Sequence, residues 1–298
     1  MSASNQVHAV VVSHGSDPDS LVVQFDRLLA QVHTIVWVDN GSPEALRQLR
    51  QNLPVDRLQS IWLDDNLAIG AAQNLGIEWA LAHGASHVLL MDDDSLPAPD
   101  MVPLLLDALA HHPDAAAAGA RHADPRRGVE CTPFSVVQRG RLRWLLCTHD
   151  RQVWEVDHLI ASGCLIPAPV LQAVGLMRED FFIDWVDTEW CLRARAKGYR
   201  IYGVCAARLE HTLGDQVARV LGREIPLHSP WRHYCQSRNF VLMLRLCHVA
   251  PSVKLNMAWR QFKRFIVFST LVPGRCYYFR MWMLGLWIGL LGGTDDLP

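Results

Sequence analysis

The chain of 298 residues lacks several features that mark other classes of protein. Its eight cysteines include no C-x-x-C pair, so they predict buried, reduced thiols rather than a zinc site or a disulfide framework. The longest uncharged apolar run, residues 281–293, is shorter than the roughly 20 residues that span a bilayer. Residues 1–7 are polar and predict no secretory leader. We therefore expect a cytoplasmic location.

Acidic side chains are missing from the last quarter of the chain. Residues 225–294 contain nine Lys and Arg but no Asp or Glu, whereas the rest carries 19 basic and 30 acidic residues. The overall net charge of −2 excludes a globally basic nucleic-acid-binding protein. Aromatic and basic residues interleave in this last part, as in helices that lie on anionic lipid, and a helix packed on the core is the alternative. These residues are Trp259, Phe262, Phe265, Trp282 and Trp287 with Arg260, Lys263, Arg264 and Arg280.

Apolar segments of strand length alternate with helical segments over the first 120 residues. Strands that are apolar without interruption are typical of a parallel sheet with helices on both faces. Half of the residues are hydrophobic, which excludes intrinsic disorder. We therefore predict an α/β fold with a mostly parallel, doubly wound sheet. The predicted strands are residues 7–13, 33–39, 58–63 and 87–91, and the predicted helices are residues 18–32, 68–82 and 100–111, with one more helix opened by the turn at residues 40–43.

The second half of the chain is less regular. A hairpin turn is predicted at Arg139 and Gly140. A strand broken at Ser162 and Gly163 is predicted at residues 158–167, and another strand is predicted at residues 199–205, with a helix at residues 184–196 between them. Beyond residue 226 the pattern is helical. We predict an α/β domain at residues 1–224 and a helical extension at residues 225–298.

Polar side chains follow all four of the first strands. They are Ser13, Asp39, the segment 64–66 and the segment 92–94. In a doubly wound sheet, ligands bind beyond the carboxyl ends of the strands. The coincidence of four polar strand ends therefore predicts a binding site at this edge.

Three consecutive carboxylates, Asp92, Asp93 and Asp94, end the fourth strand. Residues two apart in a strand point to the same side, so Asp92 and Asp94 can act together. Three neighbouring carboxylates repel one another unless a cation is present, and oxygen ligands favour Mg²⁺ or Mn²⁺. A group of helix-capping residues is the alternative.

Asn66, Gly70 and Asn74 open the helix after the third strand. A glycine at a helix N-terminus lets the backbone approach a ligand, and the amides can reach a base or a ribose. An ordinary turn with a packing glycine is the alternative. Asp39 also has two interpretations. The turn after it could be purely structural, or it could place the carboxylate against a base.

Three acids lie close together around the start of the predicted helix at residues 184–196. Glu189 faces Arg193 four residues later, which predicts a structural pair. Asp184 and Asp187 can share a face, and one of them could serve as a general base if it points into the cleft. A solvated helix start is the alternative. His211 is a surface residue unless the paired carboxylates need a third ligand.

Taken together and in this order, the motifs resemble those of bacterial rhamnosyltransferases, which belong to the inverting family 2 glycosyltransferases with the GT-A fold. The resemblance covers residues 7–245. Its segments are SHGSDPD, VDNGS, NLAIGAAQNLG, LLMDDDS, LIASGCLIP, FFIDWVDTEWCLRARAKGY, HTLGD and RHYCQSRN. It implies transfer of L-rhamnose from dTDP-L-rhamnose to a lipopolysaccharide, O-antigen or glycolipid acceptor, at the inner face of the inner membrane.

The same resemblance implies roles for single residues. Nucleotide-sugar contacts are implied for Ser13, Asp39, Asn66, Gly70, Asn74, Asp92 and Asp93. A divalent ion, Mg²⁺ or Mn²⁺, is implied at Asp92, Asp94 and His211, and the catalytic base is implied at Asp187. Two positions depart from the family pattern. His14 and Gly15 stand where an aromatic residue and an asparagine are usual, and Asp93 stands where glutamine is frequent.

The expected reaction is a single displacement. Asp187 would take the proton of the acceptor hydroxyl while the ion neutralises the leaving diphosphate, and one base with no enzyme nucleophile implies inversion. Three alternatives stay open: a different nucleotide sugar, a non-catalytic nucleotide-sugar-binding protein, and a phosphatase of the haloacid dehalogenase type. The last has a similar hhhDxDxS motif, but on its first strand.

Overall fold

The computed structural model describes residues 6–41, 46, 49, 53, 56–123, 133–149, 152–211, 216–220 and 223–293. Side chains are described within these ranges except between residues 211 and 226. The predicted helix after the turn at residues 40–43 falls largely outside the described residues, and so does Cys131.

The described elements follow the alternation predicted for the first half of the chain. The strands are β1 (Val7–Ser13), β2 (Thr34–Asn40), β3 (Leu58–Leu63), β4 (His87–Asp92), β5 (Ser95–Pro97), β6 (Ala115–Ala123), β7 (Phe134–Gln138), β8 (Arg141–Leu145), β9 (Val153–Val156), β10 (Cys164–Pro167), β11 (Arg200–His211), β12 (Gln216–Val220) and β13 (Arg223–Leu227). The helices are α1 (Pro18–Leu29), α2 (Ile69–Ala82), α3 (Met101–His111), α4 (Ala168–Val174), α5 (Val186–Ala196), α6 (Pro230–Arg245), α7 (Pro251–Thr270) and α8 (Arg275–Leu291).

One mixed sheet organises the molecule, with the strand order β3-β2-β1-β4-β10-β6-β11-β5 and with β9 also paired to β11. β1 is parallel to β2 and β4, β2 to β3, and β6 to β11, whereas β10, β5 and β9 run antiparallel to their neighbours. The mostly parallel α/β sheet predicted from the sequence is confirmed. Its parallel register brings the ends of β1, β2 and β4 together at one edge.

Burial on both faces explains the uninterrupted apolar strands. In β1, Val10 and Val12 pack into one hydrophobic core, while Val7, Ala9 and Val11 pack into another on the opposite face. Successive strand residues point to opposite faces, so a strand covered on both sides is apolar at most of its positions.

The helix α6 is part of the main body rather than of a separate extension. Its Leu242 and Met243 lie in the same core as Val10. Helix α8 packs closely on α6, because a Cβ at Gly285 would come within 2.3 Å of the Tyr234 carbonyl oxygen. The break predicted between residues 224 and 225 therefore does not separate α6 from the α/β body. Within the described residues, no helix is long and apolar enough to cross a membrane.

The cysteine prediction needs a correction. Cys147, which follows β8, and Cys205, in β11, form a disulfide with a Cα–Cα distance of 5.6 Å. They are 58 residues apart in sequence, and only the folding of β9 against β11 brings them together, so spacing did not reveal the pair. Cys164, Cys191 and Cys235 are buried free thiols, as predicted, whereas Cys247 and Cys276 are exposed.

Two boundaries in the second half also differ from the prediction. The segment 158–167, predicted as a strand broken at Ser162 and Gly163, forms a regular strand only after the break, from Cys164 onward. Helix α5 begins at Val186 rather than at residue 184, because Asp184 and Trp185 have left-handed φ values of 64° and 71°. The hairpin around Arg139 and Gly140 forms as predicted.

Candidate active site at the strand ends

The ends of β1 and β2 hold a buried polar pair. Asp39 is only 2% exposed, and its carboxylate accepts a hydrogen bond of 3.4 Å from the Ser13 hydroxyl. The indole of Trp37 donates in turn to the Ser13 oxygen at 2.7 Å. The sheet register places Ser13 directly beside Asp39. Both predicted site residues therefore lie together at the predicted edge.

Asp93 connects the end of β4 to the loop after β1. Its carboxylate accepts hydrogen bonds from the His14 backbone N–H, at 3.0 Å, and from the Ser16 hydroxyl. Burial raises the pKa of Asp93, an effect that these hydrogen bonds oppose and the neighbouring Asp94 charge increases. The two positions that depart from the family pattern, His14 and Asp93, thus bond to each other. This contact gives Asp93 a role in shaping the loop.

Asp92 and Asp94 flank that contact. Asp94 is exposed and Asp92 is half-buried. The backbone of His211 pairs with Ser95 in the antiparallel ladder between β11 and β5, next to Asp94 in sequence. The His211 side chain lies outside the described residues, as do residues 212–215. Among the side chains that are described, no group of three or more His, Cys, Asp or Glu is arranged to hold a metal.

Two aspartates at a water-facing strand end nevertheless fit a hard divalent cation. Mg²⁺ is usually held by one or two carboxylates together with substrate phosphates, and it keeps several waters. Asp92 and Asp94 supply oxygen ligands of this kind. A third protein ligand is not required by the chemistry, and the backbone register is compatible with one at His211.

The third predicted motif mainly holds neighbouring segments in place. Asn66 accepts from the Asn40 amide at 2.9 Å and from the Ala68 backbone N–H at 3.0 Å. It is exposed at the same edge as Asp94. These contacts fasten the end of β2 to the turn before α2.

Gly70 and Asn74, further along α2, contact the loop that leads to α5. A Cβ at Gly70 would meet the Arg178 carbonyl oxygen at 2.3 Å, so only glycine fits there. The Asn74 side chain, 4% exposed, donates to the Met177 carbonyl at 2.9 Å and to Glu179, and it accepts from the Met177 N–H. The structural alternative therefore accounts for both residues, since the amide of Asn74 is already engaged within the chain.

Asp187 sits on the first turn of α5 against an apolar cavity. The cavity has a volume of about 10 Å³ and is lined by Leu90, Leu159, Ile166 and Trp190 among others. Burial in these surroundings raises the pKa of Asp187 to about 6, and the negative charge of Asp184 adds to the rise. Hydrogen bonds from Thr188 and from the Ala161 backbone oppose it without cancelling it.

Asp184, three residues earlier, has the opposite environment. Arg232 donates two hydrogen bonds to its carboxylate, at 2.9 and 3.1 Å, and Gln236 donates a third at 3.1 Å. Burial alone would raise the pKa of Asp184, but these donors outweigh it and leave that pKa lowered. The two candidate bases are thereby distinguished. Asp184 is a paired structural carboxylate, and Asp187 is the one whose pKa suits proton transfer.

Helix α6 holds the segment that carries both aspartates. Asn239 donates to the Ile183 and Asp184 carbonyls at 2.9 and 3.2 Å, and the fully buried Arg238 donates to the Asp180 carbonyl at 3.3 Å. These contacts stabilise the left-handed backbone at Asp184 and Trp185, a conformation that costs energy for residues with a side chain. The RHYCQSRN motif thus supports the segment that leads into α5 and carries Asp184, a role that sequence reasoning did not assign to it.

Ser162 and His122 were also missed. The Ser162 hydroxyl bonds to the Asp92 backbone N–H at 3.1 Å and to the Ser95 hydroxyl at 2.7 Å, while His122 bonds to the Ser162 carbonyl at 2.9 Å. The predicted break at Ser162 and Gly163 was the available signal. Glu189 and Arg193 form the predicted structural pair, at 3.0 Å.

The arrangement provides two chemical capabilities on neighbouring elements. The strand edge offers carboxylates and buried polar groups to a phosphorylated ligand, and the first turn of α5 offers a carboxylate with a raised pKa. A general base of this kind activates a hydroxyl nucleophile at near-neutral pH.

Comparison with known proteins is consistent with that chemistry. The family model described as glycosyl transferase family 2 matches residues 9–166, which span β1 to β10. The chain is 29% identical over 246 residues to dTDP-rhamnosyl transferase RfbF from Shigella flexneri, covering 83% of this chain and 82% of that protein. It is 36% identical over 202 residues to polyprenol monophosphomannose synthase from Mycolicibacterium smegmatis, covering 65% and 72%.

Solved structures show the same fold at low sequence identity. S. aureus TarS, residues 1–349, in complex with UDP-GlcNAc superposes with a TM-score of 0.60 at 15% identity, covering 96% of this chain and 80% of that one. GalNAc-T7 with UDP, GalNAc and Mn²⁺ superposes with a TM-score of 0.59 at 10% identity, covering 98% and 58%.

Proposed function

Because the chain belongs to glycosyl transferase family 2, we propose that this glycosyltransferase moves L-rhamnose from dTDP-L-rhamnose to a saccharide or lipid-linked saccharide acceptor. The donor assignment is supported by the likeness to RfbF over most of both chains. The second relative is a polyprenol monophosphomannose synthase by name, which makes a different nucleotide sugar the second candidate. A phosphatase of the haloacid dehalogenase type is excluded, since the DxD strand is the fourth of a family 2 domain.

The observation that carries the proposed mechanism is the environment of Asp187. Its pKa of about 6 leaves it ionised at neutral pH yet still basic enough to take a proton. Asp187 removes the proton of the acceptor hydroxyl as that oxygen attacks the anomeric carbon. Attack from the face opposite the leaving nucleotide inverts the configuration at that carbon.

The strand edge takes the donor in this proposal. Ser13, Asp39 and Asn66 contact the nucleotide, and Asp93 keeps the loop after β1 in position beside it. Asp92 and Asp94, with His211, would hold a divalent ion, Mg²⁺ or Mn²⁺. Such an ion would neutralise charge on the diphosphate leaving group. For Gly70 and Asn74 we propose an indirect contribution, since they keep the loop before α5 against α2.

We further propose that the enzyme works at the cytoplasmic face of the inner membrane. Helices α7 and α8 expose aromatic side chains between basic ones and carry no acidic residue. Such helices bind anionic membrane surfaces peripherally. A lipid-linked acceptor would be met at that surface.

A donor screen tests the proposal. Thermal shift is measured with dTDP-, UDP- and GDP-sugars in the presence of Mg²⁺ or Mn²⁺, and release of the nucleoside diphosphate is followed with a saccharide acceptor. We expect the largest stabilisation from dTDP-L-rhamnose. A larger shift from a UDP- or GDP-sugar would overturn the donor assignment, and binding without any turnover would indicate a non-catalytic nucleotide-sugar-binding protein.

A further inference from the structure

A groove separates the β7–β8 hairpin from helix α7. Its volume is about 530 Å³, and it lies apart from the residues assigned above to donor and base. The Asn256 amide bonds to the Gly140 carbonyl at 3.2 Å and fastens the hairpin turn to the helix. The groove is therefore a feature built by two elements that are distant in sequence.

The charge of the groove has one sign. Arg141 contributes from the hairpin, and Arg260 and Lys263 contribute from α7, whereas none of the described residues that line the groove is a carboxylate. None of the three cations forms an ion pair with an acidic side chain in the part of the chain that the structure describes. Three cations that face one space without a counter-charge favour an anionic ligand.

Two exposed tryptophans add aromatic surface to the basic groove. Trp144 of the hairpin and Trp259 of α7 line it and are 59% and 56% exposed. The Lys263 ammonium lies 5.6 Å from the centre of the Trp259 ring, so the cation and the aromatic face are presented together. Exposed tryptophans beside cations are typical of the interface between lipid headgroups and acyl chains.

The groove opens onto a wider apolar surface. On α7 the exposed residues Leu255, Trp259, Phe262 and Ile266 recur at spacings of three and four, which places them on one face. Helix α8 exposes a similar face, which comprises Phe279, Met283, Trp287 and Leu290. The opposite face of each helix is the one that packs on the protein, through Met257 and Phe268 in α7 and through Trp282 in α8.

Helix α7 also connects the groove to Asp184, which lies just before α5. Arg264 donates to the Gln236 side chain at 2.6 Å, and Gln236 donates to Asp184 at 3.1 Å. Arg260 lies one turn earlier on the same helix, about 6 Å along its axis. A membrane surface held at the groove would therefore lie beside the acceptor side of the active site.

We propose that this groove binds the phosphate headgroup of an anionic phospholipid, with the exposed face of α7 inserted into the bilayer beside it. The inference deepens the membrane contact proposed above and rests on it. Arg141, Arg260 and Lys263 contact the phosphate, and Trp144 and Trp259 lie at the level of the headgroups. The site would orient the cleft so that the hydroxyl of a membrane-bound acceptor reaches Asp187.

Vesicle sedimentation of the full chain tests this site. We expect binding to vesicles of phosphatidylcholine with phosphatidylglycerol, and little binding to phosphatidylcholine alone. The double variant Arg260→Gln with Lys263→Gln should weaken binding about 30-fold, because it removes the attraction of two basic side chains to the anionic membrane surface. The control pair Arg27→Gln with Lys197→Gln removes the same charge from exposed positions on α1 and after α5, and should change binding less than twofold.

A second variant separates the groove from general charge attraction. Trp144→Ala keeps the net charge and should still weaken binding several-fold, whereas Val23→Ala on α1 should not. Equal binding of all variants, or equal binding to neutral vesicles, would overturn the proposal. A thermal shift from inorganic phosphate without vesicle binding would also overturn it, by indicating a soluble ligand.

The outcome is independent of the donor assignment. Thermal shift with dTDP-L-rhamnose should be unchanged in every groove variant, because none of these residues belongs to the strand edge. If the wild-type protein binds anionic vesicles through the groove but binds no dTDP-sugar, the groove proposal stands and the proposed donor is wrong.

Discussion

The carboxylates at the strand edge and those around the start of α5 lie in different environments. At the end of β4, Asp94 faces water and Asp93 accepts hydrogen bonds from the loop after β1. Around the start of α5, Asp184 is paired with Arg232, and Asp187 lies against an apolar cavity with its pKa raised to about 6. The edge thus keeps negative charge available to a cation, whereas burial at the start of α5 makes one carboxylate more basic.

Separate roles follow from these environments. A water-facing carboxylate binds a hard ion without a large desolvation cost, and a desolvated one holds a proton more tightly. Variants at the two places should therefore affect different steps of the reaction. Four predictions test this difference.

The largest effect is expected from Asp187→Asn. Loss of the general base should lower kcat by about 10²- to 10⁴-fold, because the acceptor hydroxyl keeps its proton during attack. Donor affinity should stay near that of the wild type. Steady-state transfer and isothermal titration with the donor check both quantities. A comparable loss of donor affinity would place Asp187 in donor binding and remove the distinction.

Asp94→Asn, at the strand edge, should affect donor binding rather than proton transfer. We expect a loss of metal-dependent donor affinity on the order of 100-fold, because an amide oxygen carries no charge to hold a divalent ion beside the diphosphate. Donor titration with Mg²⁺, with Mn²⁺ and with EDTA measures it. Asp100→Asn, an exposed change before α3, is the matched control and should leave affinity unaltered. Unchanged metal dependence in Asp94→Asn would remove the ion from this edge.

The difference in stability between Asp187→Asn and the wild type should depend on pH. A folded pKa of about 6, above the 3.8 of an ordinary aspartate, means that ionising Asp187 costs folding free energy. The cost is absent below pH 3.8, grows as the pH rises to 6 and is complete above it. The variant should therefore be about 1–3 kcal/mol more stable than the wild type at pH 7.5, with a smaller difference at pH 4.5.

Urea denaturation at both pH values measures how this stability difference changes with pH. Asp184→Asn is the contrasting variant. Its folded pKa is lowered, so the ionised carboxylate contributes stability that is lost as the pH falls through that pKa. Asp184→Asn should accordingly be less stable than the wild type at pH 7.5. Equal behaviour of the two variants would contradict the difference in environment.

The smallest expected effect is a shift in the pH–rate profile. The wild-type kcat/KM should rise with pH and level off above an apparent pKa of about 6, as Asp187 loses its proton. The charge of Asp184 raises that pKa, so Asp184→Asn should move the acidic limb to lower pH by a fraction of a unit. The exposed change Asp19→Asn on α1 should leave the limb in place, and a shift to higher pH in Asp184→Asn would contradict the assignment.

Local pattern was enough to predict much of the fold. Continuous apolar strands and amphipathic helices specified the parallel sheet, and the polar residues at its strand ends specified the edge where Ser13 meets Asp39. The pairing of Glu189 with Arg193 also followed from spacing on one helix. These features depend on neighbours in sequence or on a regular repeat, which a single chain displays directly.

Contacts between distant segments could not be predicted in the same way. Asn74 resembled a ligand-binding amide, but its hydrogen bonds go to Met177, more than a hundred residues later. The disulfide between Cys147 and Cys205 depends on the packing of β9 against β11, and nothing in the cysteine spacing indicates it.

The sequence by itself determined the sheet, its predicted binding edge and the set of carboxylates at the two places. The tertiary structure alone decided the environment of each carboxylate. Asp184 and Asp187 are three residues apart and chemically identical, and their pKa values move in opposite directions because one meets Arg232 and the other meets an apolar wall. Protonation depends on the charges and solvent around a group, and those are set by segments that only folding brings together.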